Sequence, residues 1–435
     1  MFVSSKVLNG LNGIAKIPGD KSISHRSIII PSIANGITEV NNILKSEDVF
    51  KTINALKSMG IKIEEKNNIL LIHGSGLHSL SKPKNKIDLG NSGTSARLLI
   101  GLLSAQNFES SLFGDHSLSN RPMARIINPL IKMGASIESN NYKLPLIVRG
   151  KKLKGITYEL DIPSAQVKSG ISLAALFLND QTEFIEKHTT RNHTEIMLKY
   201  FDANIEIKKI NQDNHIYIKG NKELKSKNID IPNDLSSAAF FIVAALINNN
   251  SQIEMKNINL NPTRDGFLSA IIKMGAQIII KNKKEVNGEI VGDIHVKHSK
   301  LKGCELDKDI TKTMIDEFPI LAIASSFANS PSIFKGLEEL KIKESNRLEL
   351  IQHNLENCGI YCEINNNNLF IDPTKKSECK SNIIKTNSDH RIAMAFAIMG
   401  TMLDINLKIL NSEYINTSFP GFSKEINSIG GKISE

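Results

Sequence analysis

The chain of 435 residues contains no tryptophan, and only 5% of it is aromatic. Binders of single-stranded nucleic acid interleave basic side chains with stacking rings. The scarcity of rings therefore weighs against such a role, although the net charge is +9. The lysines are dispersed rather than clustered, so no nucleic-acid partner is expected. There are four cysteines, Cys304, Cys358, Cys362 and Cys379, and they match no zinc spacing. No metal is expected, and the thiols fit a reducing, cytoplasmic setting. No apolar run is long enough to span a bilayer. Met1 to Lys16 lacks the charged start and pure apolar stretch of a signal peptide. No membrane partner is expected.

Arginine is also scarce, accounting for nine of the 54 basic residues. In so lysine-biased a chain, arginine should persist where a planar, bidentate fork is needed for carboxylate or phosphate. The positions 26, 97, 121, 125, 149, 191, 264, 347 and 391 therefore form a crude map of oxyanion sites. A surface residue such as Arg149 is a false positive on that map.

What is present is a globular composition, 40% apolar and 23% charged, long enough for two to three domains. A repeat is also visible: an amphipathic helix, a glycine or equivalent, then an alternating strand. Its landmarks are Gly60, Gly134, Asp202, Gly275, Gly359 and Gly430, spaced by 74, 68, 73, 84 and 71 residues. Each sits where a helix C-cap calls for a positive φ. An earlier apolar helix recurs in every copy, over Ser24–Ala34, Thr94–Ser104, Gln166–Leu178, Leu235–Ile247, Glu317–Ala328 and Arg391–Met402. Such mixed units predict α/β layers. Six units divide into three and three, with a hinge at Ile229–Asp234.

The chemical signals cluster at the starts of these helices, where backbone N–H groups and the helix dipole attract anions. Pro18-Gly-Asp-Lys21-Ser22-Ile-Ser-His25-Arg26 brings two cations to one start, with Ser22 or Ser24 as the expected N-cap. Gly90-Asn-Ser-Gly93-Thr-Ser-Ala-Arg97 offers glycines for close backbone approach. Asn120-Arg121-Pro122-Met123 sets an arginine before a proline-started helix. Pro163-Ser164-Ala165-Gln166 opens the third helix, with Thr190-Arg191-Asn-His193 further on. Ile315-Asp316-Glu317 precedes a wholly apolar helix, which Asp316 could simply cap. Lys343-Glu344-Ser-Asn-Arg347 alone reads as a solvated face. Asp389-His390-Arg391 puts a charge at the mouth of a buried helix, which is costly unless paired. Six of the nine arginines fall in these segments, so a ligand or ligand pair with several negative charges is expected.

Together these segments resemble the enolpyruvyl transferase family over essentially the whole chain and in matching order. The resemblance implies a two-domain inside-out α/β barrel of six βαβαββ repeats, three per domain, with helices inside and sheets outside. One domain would comprise residues 1–18 and 232–435, the other 19–231, with crossings near Ile17–Asp20 and Ile229–Asn233 and the active site in the cleft between them. It implies transfer of the enolpyruvyl group of phosphoenolpyruvate to the 5-hydroxyl of shikimate-3-phosphate, by a monomer and without any cofactor. Residue by residue, Lys21 would touch both substrates, and Ser22 and Arg26 would hold the shikimate carboxylate. Ser164, Ala165, Gln166, Arg191 and Lys343 would surround shikimate-3-phosphate. Gly93, Arg121, Gln166, Arg347 and Arg391 would bind phosphoenolpyruvate. Asp316 would contact the ring hydroxyls of shikimate-3-phosphate and accept a proton, and Glu344 would donate one, supported by His390.

Ala165, Glu339 and Ser418 stand where many members have serine, asparagine and lysine. All three match the family's other large sequence class, and no ligand role is carried over to position 418. Gly93 should leave room for glyphosate to compete with phosphoenolpyruvate. The branch that acts on UDP-N-acetylglucosamine normally carries a cysteine in the loop before the Arg-Pro segment and an asparagine after the first lysine. Here Gly114–Arg121 has no cysteine, and Ser22 follows Lys21.

Overall fold

The six apolar segments fold as the helices Lys21–Ser32, Gly93–Ser104, Ala165–Ala175, Leu235–Ile247, Phe318–Ser326 and His390–Gly400. The computed structural model describes residues 1–160 and 162–435. All residues of Leu235–Ile247, Phe318–Ser326 and His390–Gly400 are buried. A helix that is apolar on every side has no stable place at a surface, and sequence composition alone thus sets these three deep in the fold. The strands behave differently. Lys143–Arg149, for example, alternates buried and more exposed positions, as a half-covered sheet does.

Among the described residues, helices and strands form a mixed α/β structure with six small sheets. Each sheet combines a parallel pair with antiparallel neighbours. Ile87–Asp88 runs parallel to Glu109–Phe113, which pairs antiparallel with Lys143–Arg149, itself antiparallel to Ser136–Asn140. The same order recurs with Thr157–Glu159, Gln181–Glu186, Asp213–Lys219 and Ile205–Ile210. It recurs again with Glu305–Leu306, Ser332–Phe334, Asn368–Lys376 and Ile360–Asn365. The six repeat landmarks all adopt positive φ, from 63° at Asp202 to 105° at Gly430. Asp202 tolerates this left-handed turn because its short polar side chain costs little there.

The chain divides into two compact units. One comprises Met1–Pro18, Pro232–Glu285 and Ile290–Glu435, the other Gly19–Ile231 and Val286–Glu289. Each has its own apolar core. In the second unit, helices Gly93–Ser104 and Ala165–Ala175 meet at a glycine pair, where a Cβ on Gly101 would collide with the Gly170 carbonyl. This crossing holds the two helices closer than side chains would allow. In the first unit, the rings of Phe240, Phe241, Phe419 and Phe422 pack mostly edge to face, with centroids 5.6–6.1 Å apart. Each such contact contributes about 0.5–1.5 kcal/mol beyond area burial. Among the described residues, no helix is long and apolar enough to cross a membrane.

The first helix starts earlier than expected, and neither serine is its cap. Asp20 caps it, accepting from the Ile23 N–H at 2.9 Å. The Ser24 hydroxyl instead accepts from the Leu44 N–H at 3.1 Å.

Candidate active site

In the unit around Gly19–Ile231, three helix starts carry the expected residues. Lys21 opens the first helix, and its ammonium sits 2.5 Å from a carboxylate oxygen of Asp48. One turn on, the buried Arg26 donates to the Ser22 carbonyl (2.8 Å), the Thr194 hydroxyl (2.6 Å) and the Ser169 hydroxyl (2.7 Å). Burial lowers its pKa to about 10, with Glu195 opposing the shift. Between them, His25 is buried, and its Nδ1 lies 2.8 Å from the Thr52 hydroxyl, which meets Ser95 at 2.6 Å. Burial, then the charges of Lys21 and Arg26, hold this imidazole well below the ordinary histidine range, so it is neutral.

The second start is capped by Ser92, whose hydroxyl accepts from the Ser95 N–H. Here two guanidinium groups flank Gly93. A Cβ on that residue would lie 2.9 Å from an Arg97 nitrogen and 3.0 Å from an Arg121 nitrogen. Arg121 donates to Asn91 (2.6 Å), and Asn91 donates to Asp115 (2.7 Å). Arg97 donates to the Gln166 side-chain carbonyl at 2.9 Å, and Gln166 donates to the Thr94 hydroxyl at 2.9 Å. Gly93, Arg121 and Gln166 thus form one cluster, tied to the third helix, whose start Ser164 caps. Arg191 lies half-buried just before helix His193–Tyr200.

In the other unit the centre is Arg347, whose side chain is 1% exposed. It binds Asp389 through Nε at 2.8 Å, Glu344 through Nη2 at 2.5 Å and Asp316 through Nη1 at 3.5 Å. Burial works against its charge, but Asp389, Glu344 and Asp316 outweigh it and raise its pKa above the usual arginine value. The solvated face that the local pattern suggested is therefore a buried cation with three acids. Asp316 does not cap the apolar helix after it. That helix begins at Phe318 with no side-chain cap, while the Asp316 carbonyl accepts from Arg391 at 3.1 Å. Asp389 has two roles, because it also caps helix His390–Gly400, accepting from the Arg391 N–H at 2.9 Å. Nδ1 of His390 lies 3.5 Å from the Thr417 hydroxyl. Lys343 is held below the ordinary lysine range, first by desolvation, with Asp316 opposing and Arg347 adding to the shift.

Several participants carried no assigned role in the sequence reading. Arg97 and Asn91 lie in the Gly90–Arg97 segment itself, whereas Asp48 reaches Lys21 through tertiary packing, and nothing in its local sequence gives a signal. Arg264, one of the nine arginines, is buried with Asp234 at 3.0 Å and the Ser236 hydroxyl at 2.5 Å. Ser236 in turn donates to Glu317.

Two partly exposed acids on one guanidinium suit proton transfer, and two arginines bracketing a helix start in the other unit suit polyanion binding. Comparison with known proteins decides the family. The model of EPSP synthase (3-phosphoshikimate 1-carboxyvinyltransferase) matches residues 6–426. The chain belongs to the EPSP synthase family. It is 43% identical over 430 residues to a 3-phosphoshikimate 1-carboxyvinyltransferase of Thermoanaerobacter sp. (strain X514), spanning 99% of this chain and 100% of that protein. The relative of the same name from Legionella pneumophila (strain Philadelphia 1) is 41% identical, spanning 99% and 98%. A solved structure of EPSP synthase from Acinetobacter baumannii superposes with a TM-score of 0.86 at 39% identity, over 100% of this chain and 99% of that one. The enolpyruvyl transferase NikO from Streptomyces tendae shares the fold at 13% identity, with a TM-score of 0.77 over 100% and 98%.

Proposed function

We propose that this protein transfers the enolpyruvyl group of phosphoenolpyruvate to the 5-hydroxyl of shikimate-3-phosphate, releasing phosphate, as the enolpyruvyl step of the shikimate pathway. The ring hydroxyl oxygen attacks C2 of phosphoenolpyruvate, its proton passes to Asp316, and a proton from Glu344 reaches C3. The resulting tetrahedral ketal phosphate loses phosphate, and a proton leaves C3 to restore the double bond. The observation that carries the reading is the convergence of Asp316, Glu344 and Asp389 on the buried Arg347. It puts three carboxylates on one rigid cation, so Asp316 and Glu344 each have a fixed orientation.

Binding falls to the other cations and helix starts. Arg121, Arg347 and Arg391, with Gly93 and Gln166, are assigned to phosphoenolpyruvate. Ser22, Arg26, Ser164, Ala165, Gln166, Arg191 and Lys343 are assigned to shikimate-3-phosphate, and Lys21 to both, with His390 supporting proton transfer. Bringing two mutually repelling anions together is the main task, and fixed cations do it without reorganising. The finer architecture assigned to the fold is the inside-out barrel, helices within and sheets without, in keeping with the buried helices and half-covered strands. One chain carries every assigned residue, so a monomer suffices, acting in the cytoplasm on small anions with no cofactor.

The test is phosphate release by the purified protein. Release is expected only when both shikimate-3-phosphate and phosphoenolpyruvate are present. No release with that pair, or release with UDP-N-acetylglucosamine in place of shikimate-3-phosphate, overturns the assignment.

A further inference from the structure

A buried charge cluster lies in the Gly19–Ile231 unit, and apart from Arg26 the assigned binding and chemistry do not use it. Lys168, Glu186, Glu195 and Arg26 are 1%, 3%, 2% and 3% exposed. The Lys168 ammonium lies 2.9 Å from Glu186 and 2.7 Å from Glu195. The two carboxylates face the Lys168 ammonium directly, and Glu195 also acts on the Arg26 charge. As a source of stability such a cluster is weak, because desolvation offsets most of the attraction. What it does fix is geometry.

The connections lead outward to two assigned binding residues. Glu186 ends the strand Gln181–Glu186. The same oxygen that meets Lys168 accepts from the Thr190 N–H at 2.9 Å and the Thr190 hydroxyl at 2.5 Å. Those two bonds fold the loop back immediately before Arg191. On the other side, Ser169, next to Lys168 in sequence, accepts from Arg26 at 2.7 Å and from the Thr194 hydroxyl at 2.6 Å. Thr194, next to Glu195, accepts from Arg26 Nε at 2.6 Å. Lys168 itself stands one turn into the helix whose start holds Ser164, Ala165 and Gln166.

We propose that Lys168 is a positioning residue for shikimate-3-phosphate: by holding Glu186 and Glu195 it sets the places of Arg191 and Arg26 relative to the helix start at Ser164. This rests on the assignment of that substrate above. Burial opposes the Lys168 charge, but the two carboxylates outweigh it and raise its pKa above the ordinary lysine value, so the cation persists throughout the physiological range.

The experiment is calorimetric titration of the full chain with shikimate-3-phosphate, alongside KM for phosphoenolpyruvate, for wild type, Lys168→Met and Thr190→Val. Lys168→Met should weaken shikimate-3-phosphate binding at least tenfold and leave KM for phosphoenolpyruvate within twofold. Thr190→Val, at a half-buried loop position, should weaken it about threefold in the same selective way. A folded Lys168→Met with unchanged shikimate-3-phosphate affinity overturns the proposal, as does equal loss for both substrates. If Lys168→Met does not fold, Thr190→Val decides, and unchanged affinity there overturns it. A wild-type protein that fails to bind shikimate-3-phosphate would instead sink the substrate assignment itself.

Discussion

Replacing Gly93 by alanine should separate phosphoenolpyruvate binding from everything else. The added Cβ would sit 2.9 Å from Arg97 Nη1 and 3.0 Å from Arg121 Nη1. Both guanidinium tips must then retreat by about half an ångström to reach ordinary contact. Arg121 has little room to do so, being 8% exposed and tied to Asn91 at 2.6 Å. A charge-assisted hydrogen bond contributes about 1.5–3 kcal/mol. Losing most of one such bond should raise KM for phosphoenolpyruvate roughly 10- to 30-fold, from about 1.4–2 kcal/mol. The fold should not suffer, because alanine in a first helical turn is favoured over glycine by up to about 1 kcal/mol. Steady-state phosphate release at saturating shikimate-3-phosphate gives the first quantity, and calorimetric unfolding gives the second. A variant whose KM for phosphoenolpyruvate stays within twofold while its melting temperature falls by several degrees would refute the reasoning.

Four further outcomes are expected. Because His25 is neutral when folded but protonates near 6.5 when unfolded, the unfolded chain binds the extra proton on acidification. Stability from this group is thus complete above pH 6.5 and falls by about 1.4 kcal/mol per pH unit below it; in urea titrations His25→Asn should remove that increment, and an unchanged difference across pH 5 to 7 would contradict it. Lys343, its pKa lowered from 10.5 chiefly by desolvation, destabilises the fold while charged, so the fold gains stability and loses a substrate cation as pH rises through a window below 10.5. KM for shikimate-3-phosphate should climb there, and Lys343→Arg, which stays charged, should shift the climb upward; identical pH profiles would argue against a binding role. Glu344→Gln should abolish deuterium entry at C3 of phosphoenolpyruvate in heavy water, whereas normal exchange would remove Glu344 as donor. Ser164→Asp should preserve the N-cap yet weaken shikimate-3-phosphate by about 2–4 kcal/mol, since unit charges about 4 Å apart repel by about 4 kcal/mol at an effective dielectric of 20; equal calorimetric affinity for Ser164→Asp and Ser164→Asn would exclude phosphate at that helix start.

The repeat was readable because two local rules coincide in it. A helix often stops at a left-handed residue, and an apolar helix must be buried, so Gly60 and its counterparts mark the register. The starts were harder to read. Asp20 competes with Ser22 and Ser24 as a cap, and only the Leu44 N–H, reached through tertiary packing, shows why Ser24 is engaged elsewhere. The Lys343–Arg347 segment misleads for a related reason. A charged run looks solvated until partners from Asp316 and Asp389, 31 and 42 residues away, reach Arg347. Scarcity of arginine was a better guide to burial. It marked Arg26, Arg121, Arg347 and Arg391, which are all buried, and also Arg264, whose cluster no local motif announced. Lys168 escaped it altogether, since in a chain full of lysine a buried one carries no compositional mark.

Five of the six apolar helices carry side-chain caps, and these are of two kinds. Asp20, Asp234 and Asp389 cap their helices with a carboxylate, whereas Ser92 and Ser164 use a neutral hydroxyl. A carboxylate cap satisfies an N–H and also cancels much of the half-charge that the helix dipole puts at its N-terminus. A serine cap satisfies the N–H and leaves that half-charge in place. Asp234 and Asp389 have surplus acceptor capacity, and each recruits a buried arginine, Arg264 and Arg347. Their helix starts are thereby neutralised from within the chain and become rigid mounts for neighbouring side chains. The serine-capped starts keep their field, which suits the assignment of Gly93 and Ser164 to the anionic substrates. The positive surroundings of Gly93, between Arg97 and Arg121, and the neighbourhood of Ser164, reached by Arg97 through Gln166, follow the same division. The carboxylate-capped starts at Asp20 and Asp389 also carry residues assigned to the substrates, Lys21, Ser22, Arg26 and Arg391, so there side-chain cations rather than the helix field would meet the anion.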